Sequence, residues 1–231
     1  MSEKEAADPD KDLWLRNGTN GSIEADHWES LYKWQEDEGD MKPYDCYISL
    51  KEWERVLLPM MPSETAARTL VIGCGHAPFS IELAEQGYSN IINLDYSETV
   101  IELQKKKYPK QRWEVGDVRD LRFKDRTFDV ILDKACADSL LETAKKETDL
   151  RKMFLEIARV LNPGGHFIAL TKWFDGTDGS SRQHEKGTPT LLRYLGCLDL
   201  DNVEVAETSV TRAYRRDGNE RYATVHYQKP L

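Results

Sequence analysis

No stretch of this chain stays apolar for the roughly 18 to 20 residues needed to span a bilayer. The charged start, Met1 to Lys11, holds no signal-peptide core. Both absences point to an intracellular, cytoplasmic protein with no membrane partner. Cysteine is scarce: Cys46, Cys74, Cys136 and Cys197 are scattered, with no Cys-x-x-Cys pair and no metal-ligand spacing, so reduced thiols and no metal are expected. Positive charge is in deficit. With 32 Lys+Arg against 41 Asp+Glu the net charge is −9, which disfavours nucleic acid as a partner and suits a cationic substrate or a basic protein surface. Internal repeats are lacking too.

What is present suits one sizeable core. The 231 residues are 39% hydrophobic and 32% charged, with six Trp and ten Tyr, a composition that excludes extended disorder. Residues 1–22 carry no apolar periodicity and read as a flexible tail; residues 23–231 read as a single domain. Within it, 23–60 holds two aromatic segments, His27 to Tyr32 and Pro43 to Tyr47, around an acidic loop from Gln35 to Asp40. These aromatics either pad the core edge or form a lid over a ligand. Ile48 to Leu58 has the spacing of a helix, with Ser49 as N-cap and Pro59 and Pro62 as stops.

The central stretch is Thr69-Leu70-Val71-Ile72-Gly73-Cys74-Gly75-His76-Ala77-Pro78 and the amphipathic run that follows. A short aliphatic strand, a Gly-x-Gly turn and a helix open a nucleotide-binding βαβ unit, with glycines that let backbone come close to a ligand at the strand's carboxyl end. Asn90 to Asp95 is a second strand; Asp95 lies about twenty positions beyond the turn, the spacing at which an acidic residue catches ribose hydroxyls. Arg112 to Val115 leads to Asp117, and Phe128 to Leu132 leads to Asp133 and Lys134, so acidic residues stand at three strand ends. Leu150 to Leu161 is a helix, His166 to Leu170 a fifth strand, and 172–190 a loop on the substrate side. Val203 to Tyr214 and Glu220 to Tyr227 form a hairpin around Asp217-Gly218. A dinucleotide site wants a third glycine where this chain has Pro78, so a cofactor without phosphates is favoured.

These motifs resemble those of the class I S-adenosylmethionine-dependent methyltransferases. Within that family the chain is similar to the group of the endothelin-converting-enzyme-2-related and elongation factor 1A lysine methyltransferases. His27-Trp28-x-x-x-Tyr32, Pro43-Tyr44-Asp45, Val71 to Gly75, Leu94-Asp95-Tyr96-Ser97, Arg112 to Arg119 and Phe128 to Lys134 carry the resemblance. It implies a Rossmann-like α/β fold: a seven-stranded sheet with helices on both faces and a C-terminal antiparallel hairpin. It also implies S-adenosyl-L-methionine as cofactor, with Gly73 and Gly75 at its methionine part, Asp95 at the ribose hydroxyls and Tyr96 beside the adenine. Asp117 and Val118 would meet the adenine, Trp28 and Tyr32 would reach in from the N-terminal segment, and Lys134 would lie at the cofactor's edge. The implied reaction is N-methylation, of a protein lysine or alternatively of a small-molecule or peptide amine; a non-catalytic cofactor-binding module is a third reading. Asp133, with Asp138 in reserve, is the expected carboxylate for the acceptor amine, unless it merely pairs with Lys134. Cys46, His76-Ala77 and Ala135-Cys136 depart from the group's pattern, all around the acceptor side.

Overall fold

The computed structural model describes residues 26–39, 45–171, 203–211 and 219–231. The expected tail over 1–22, Pro43-Tyr44, the 172–190 loop and the Asp217-Gly218 turn lie outside these residues. Alternating strand and helix signals fold into one twisted sheet in the order β3-β2-β1-β4-β5-β7-β6. The first three strands are β1 (Thr69–Ile72), β2 (Ile91–Asp95) and β3 (Arg112–Val115). The other four are β4 (Phe128–Lys134), β5 (Leu161–Thr171), β6 (Val203–Thr211) and β7 (Asn219–Gln228). Neighbours from β3 through β5 are parallel. β7 runs antiparallel to both β5 and β6.

Six helices are described: α1 (His27–Asp37), α2 (Leu50–Met60), α3 (Phe79–Glu85), α4 (Glu98–Lys107), α5 (Cys136–Leu141) and α6 (Lys146–Val160). Side chains alternate across a strand, so each parallel strand feeds two cores. Leu70, Ile72, Ile131 and Phe167 pack under Met153, Phe154 and Ile157 of α6. Val71, Val130, Leu132 and Ile168 pack under Trp53 and Leu57 of α2, Leu83 of α3 and Ile101 of α4. Both faces of the parallel strands are therefore covered, which accounts for their near-continuous apolar sequence.

Several boundaries differ from the sequence reading. The supposed acidic loop from Gln35 begins inside α1, because Tyr32 and Gln35 share its buried face. Pro59 does not stop α2 but sits in its last turn, and Met61 adopts extended backbone after it. α5 has no hydrophobic periodicity long enough to announce it, and α6 starts four residues before the expected Leu150. Ser49 does cap α2, in a reciprocal box with Glu52 whose carboxylate accepts from the Ser49 N–H at 2.8 Å.

α2 is tied to the C-terminal strands by one buried polar contact. The indole Nε1–H of Trp53, fully buried, donates to Oγ1 of Thr224 on β7 at 2.9 Å. The Trp53 ring also packs on Phe79, with centroids 5.5 Å apart. Removing the acceptor leaves an indole N–H unpaired in the core. Thr224→Val is expected to lower stability by about 1–3 kcal/mol, measured by urea unfolding followed by Trp fluorescence; a change below ~0.5 kcal/mol would show that the contact contributes little.

Candidate active site

The chain moves outward from β1 to β2 and β3, then returns to the other side of β1 as β4 and β5. That reversal leaves a crevice at the carboxyl ends of β1 and β4, the position where open α/β sheets take ligands. Gly73 follows β1 there, and Asp133 and Lys134 close β4. Asp95 ends the neighbouring strand β2.

Gly73 and Gly75 both have left-handed backbone, at φ +57° and +50°, which strains any side chain. Space is equally tight. A Cβ on Gly73 would lie 2.7 Å from Cβ of Cys136, and one on Gly75 would lie 2.9 Å from the Tyr32 hydroxyl. The close approach that requires these glycines is thus made by α5 across the crevice and by α1 above the turn.

Asp95 holds the turn together. Its Oδ2 accepts from the Gly75 N–H at 2.9 Å and its Oδ1 from the Ser97 N–H at 3.0 Å. Burial pushes this carboxyl above its ordinary range, against the pull of those N–H groups. A carboxylate has roughly four acceptor positions, so capacity remains beyond these N–H groups and that of Tyr96. Ser97 itself caps α4, accepting from the Val100 N–H at 3.2 Å.

α1 is fastened over this turn by a residue the sequence reading did not single out. Glu29 accepts from Ser97 Oγ at 2.5 Å and from Thr99 Oγ1 at 2.8 Å. Burial works against the Glu29 charge, but the hydrogen bonds from Ser97, Thr99 and Lys33 outweigh it and hold the group at about 2. A carboxylate at the first turn of α4 also suits the helix dipole. One turn of α1 apart, Trp28 and Tyr32 face the site with centroids 6.2 Å apart, and Tyr32 meets His76 edge-on at 5.4 Å. The Trp28 N–H donates to the Tyr96 hydroxyl at 3.0 Å. Their spacing of four is visible in the sequence; the partner of Glu29 lies 68 positions away and is not.

Asp117 and Val118 follow β3 beside Asp95, and the Gly116 N–H donates to the Asp95 carbonyl at 2.9 Å. Val118 is buried. The Asp117 carboxylate is gripped by Arg119, whose Nε–H and terminal N–H donate at 2.9 and 2.7 Å. Arg119 continues to Asp149 at 3.1 Å. Partial burial opposes the Asp117 charge, yet Arg119 holds its carboxyl below the usual range.

Asp133 and Lys134 do not pair with one another. As consecutive strand residues they point to opposite faces. Lys134 forms a buried ion pair with Asp45, and its Nζ lies 5.5 Å from the centre of the Phe79 ring. Burial lowers its basicity and Asp45 partly restores it. Asp133 turns to the α5 side, where Ala135 in left-handed backbone lets the chain double back. There the Asp133 oxygens accept from the N–H groups of Cys136 and Ala137 at 2.8 and 3.1 Å. Burial, reinforced by the nearby charge of Asp138, pushes Asp133 up to about 7 despite these bonds. Asp138 is bound on both oxygens, by the Tyr47 hydroxyl at 2.6 Å and the Thr171 hydroxyl at 2.5 Å. Tyr47, at φ +68°, stacks on Tyr222 at 5.2 Å. No group of three or more candidate metal ligands occurs among the described residues.

Comparison with known proteins agrees with this geometry. Residues 70–169 match the family model described as a methyltransferase domain. The chain is 33% identical over 156 residues to mouse EEF1A lysine methyltransferase 4, covering 63% of this chain and 59% of the relative. It is 34% identical over 154 residues to mouse eEF1A lysine and N-terminal methyltransferase, covering 64% of this chain but 21% of that longer protein. The chain thus spans about three fifths of the first relative and about a fifth of the second. Among solved structures, a SAM-dependent methyltransferase from Methanosarcina mazei superposes with a TM-score of 0.56 at 20% identity, over 76% of this chain and 97% of that one. A phosphoethanolamine N-methyltransferase from Haemonchus contortus superposes with a TM-score of 0.57 at 14% identity, over 90% of this chain and 58% of that one. Over residues 70–169 the chain is thus similar to the methyltransferase domain family, and its sheet shares the fold of the SAM-dependent methyltransferase from Methanosarcina mazei.

Proposed function

We propose that this protein transfers the methyl group of S-adenosyl-L-methionine to an amine nitrogen, and that the amine is a lysine side chain of another protein. The observation that carries the reading is Asp95: a buried carboxylate fixed by the Gly75 and Ser97 N–H groups at the carboxyl edge of a parallel sheet. The lysine acceptor rests on the names of the relatives, two eEF1A-directed lysine methyltransferases. We take residues 23–231 as one domain working in the cytoplasm, with the C-terminal antiparallel pair completing a seven-stranded sheet of the class I kind.

In this proposal the glycine turn at Gly73 and Gly75 seats the methionine part of the cofactor and Asp95 binds the ribose. Tyr96 and Val118 border the adenine, and Asp117 reaches its amino group only by sharing a carboxylate already held by Arg119. Trp28 and Tyr32 close the seat from above, and Lys134, neutralised by Asp45, stands at its edge. The cofactor brings an activated sulfonium methyl, so the protein's task is alignment of the amine in a dry pocket. A lysine ammonium, with an ordinary pKa of about 10.4, must first lose a proton. Asp133 fits that role because it is buried, each of its oxygens keeps an unused lone pair, and its pKa stands at about 7. A small-molecule or peptide amine is the second reading, favoured by Cys46, His76 and Cys136 standing where the resembling group has other residues.

Incubating the protein with methyl-labelled S-adenosylmethionine and cell extract should label one protein band on lysine; label confined to small molecules would move the assignment to the second reading. Calorimetry with S-adenosylmethionine should give saturable binding that Asp95→Ala abolishes while circular dichroism stays native. Near-normal affinity in that variant would refute the ribose assignment. If Asp133 takes the amine proton, its carboxylate form is the active one, so turnover should rise as pH increases through about 7. Asp133→Asn should remove that limb while leaving cofactor affinity in place; an unchanged profile would exclude Asp133 as the base.

A further inference from the structure

The amino edge of the sheet carries a surface that methyl transfer does not use. α3 and α4 both start at the carboxyl edge, after β1 and β2, and run back to the opposite edge. Between their far ends lies an open groove of about 520 Å³, lined by Ile81, Ala84, Glu85 and the segment from Lys107 to Gln111. Around it the sequence Lys105-Lys106-Lys107-Tyr108-Pro109-Lys110-Gln111-Arg112 puts five cations in eight residues of a chain whose net charge is −9. All five are exposed. None of them forms an ion pair with a described carboxylate. Cations in the last turn complement the dipole of α4, which accounts for Lys105, Lys106 and Lys107 but not for Lys110 and Arg112 beyond it.

The wall of the groove is braced by a hydrogen bond and a ring pair. The Trp113 indole N–H donates to the Tyr108 carbonyl at 3.1 Å, and the two rings stack with centroids 6.4 Å apart. Lys107 Nζ sits 5.1 Å from the Tyr108 ring centre. The apolar floor is held by these rings, so only the exposed cationic side chains need ordering when a ligand arrives.

We propose that this groove docks an acidic segment of a partner protein that carries an aliphatic side chain among its carboxylates. The cations supply charge complementarity and Ile81, Ala84 and Pro109 take the aliphatic group. A nucleic acid fits less well: the Tyr108 face, on which a base would stack, is already engaged by Trp113 and Lys107. The site lies at the opposite sheet edge from Gly73 and Asp95, so a docked partner leaves the catalytic crevice open.

The test uses the full chain and a fluorescein-labelled peptide of repeated Glu-Glu-Leu, followed by anisotropy at low and moderate salt. Saturable binding should weaken with salt, and the triple variant Lys105→Glu, Lys107→Glu, Lys110→Glu should lose about tenfold or more in affinity. The variant's unfolding midpoint and affinity for S-adenosylmethionine should match those of the unaltered chain, which separates loss of docking from loss of fold. Peptide binding unaffected by the triple variant would overturn the proposal. So would tighter binding of an oligouridylate of equal charge, or peptide binding that emerges only after residues 1–25 are deleted, which would make that segment the occupant.

Discussion

One buried carboxylate organises the crevice. Burial disfavours the Asp95 charge, yet the carboxyl accepts from N–H groups on either side of the switch from strand to helix: Gly75 after β1 and Ser97 before α4. Each N–H is an orphan of a chain turn, and leaving one unpaired in the interior costs about 1–3 kcal/mol. The glycine turn, the end of β2 and the start of α4 are therefore fixed relative to one another by a single side chain. Whatever binds there meets a preformed surface.

The second carboxylate, Glu29, extends that frame upward. It ties α1 to Ser97 and Thr99, and so to the helix that Asp95 already holds. Trp28 and Tyr32 are carried into position as a consequence, with Tyr32 resting on Gly75. The aromatics of this segment are placed by an anion at a helix N-terminus, not by packing alone. Across the crevice, Asp133 performs the same kind of task for α5. Three acidic residues at chain turns each satisfy backbone or hydroxyl donors, and one of them, Asp133, is left with a proton affinity near neutrality.

Much of the architecture was legible before any coordinates. Short β-branched runs spaced by amphipathic stretches specified a parallel α/β sheet, and Gly73-x-Gly75 with Asp95 twenty positions on marked the crevice at its carboxyl edge. Pro78 in place of a third glycine separated this turn from a dinucleotide site. What was misread had weak local signal. α5, at six residues, is too short for periodicity, and its cap is a strand residue, Asp133, acting from three positions earlier. The extent of α1 was hidden by acidic residues, which read as loop but are simply its solvent face.

The sequence by itself determined the order of strands and helices, the glycines and the acidic strand ends, because each depends on residues close together in the chain. Only the tertiary structure decided the partners. That Lys134 answers to Asp45 and not to the adjacent Asp133, that Glu29 caps a helix 68 residues on, and that Tyr47 and Thr171 share Asp138 are outcomes of which strand lies beside which. Local pattern sets backbone conformation through short-range sterics and periodic burial. Pairing of buried polar groups is set by the folded sheet, which brings distant segments to one edge and leaves each charge the few donors within reach.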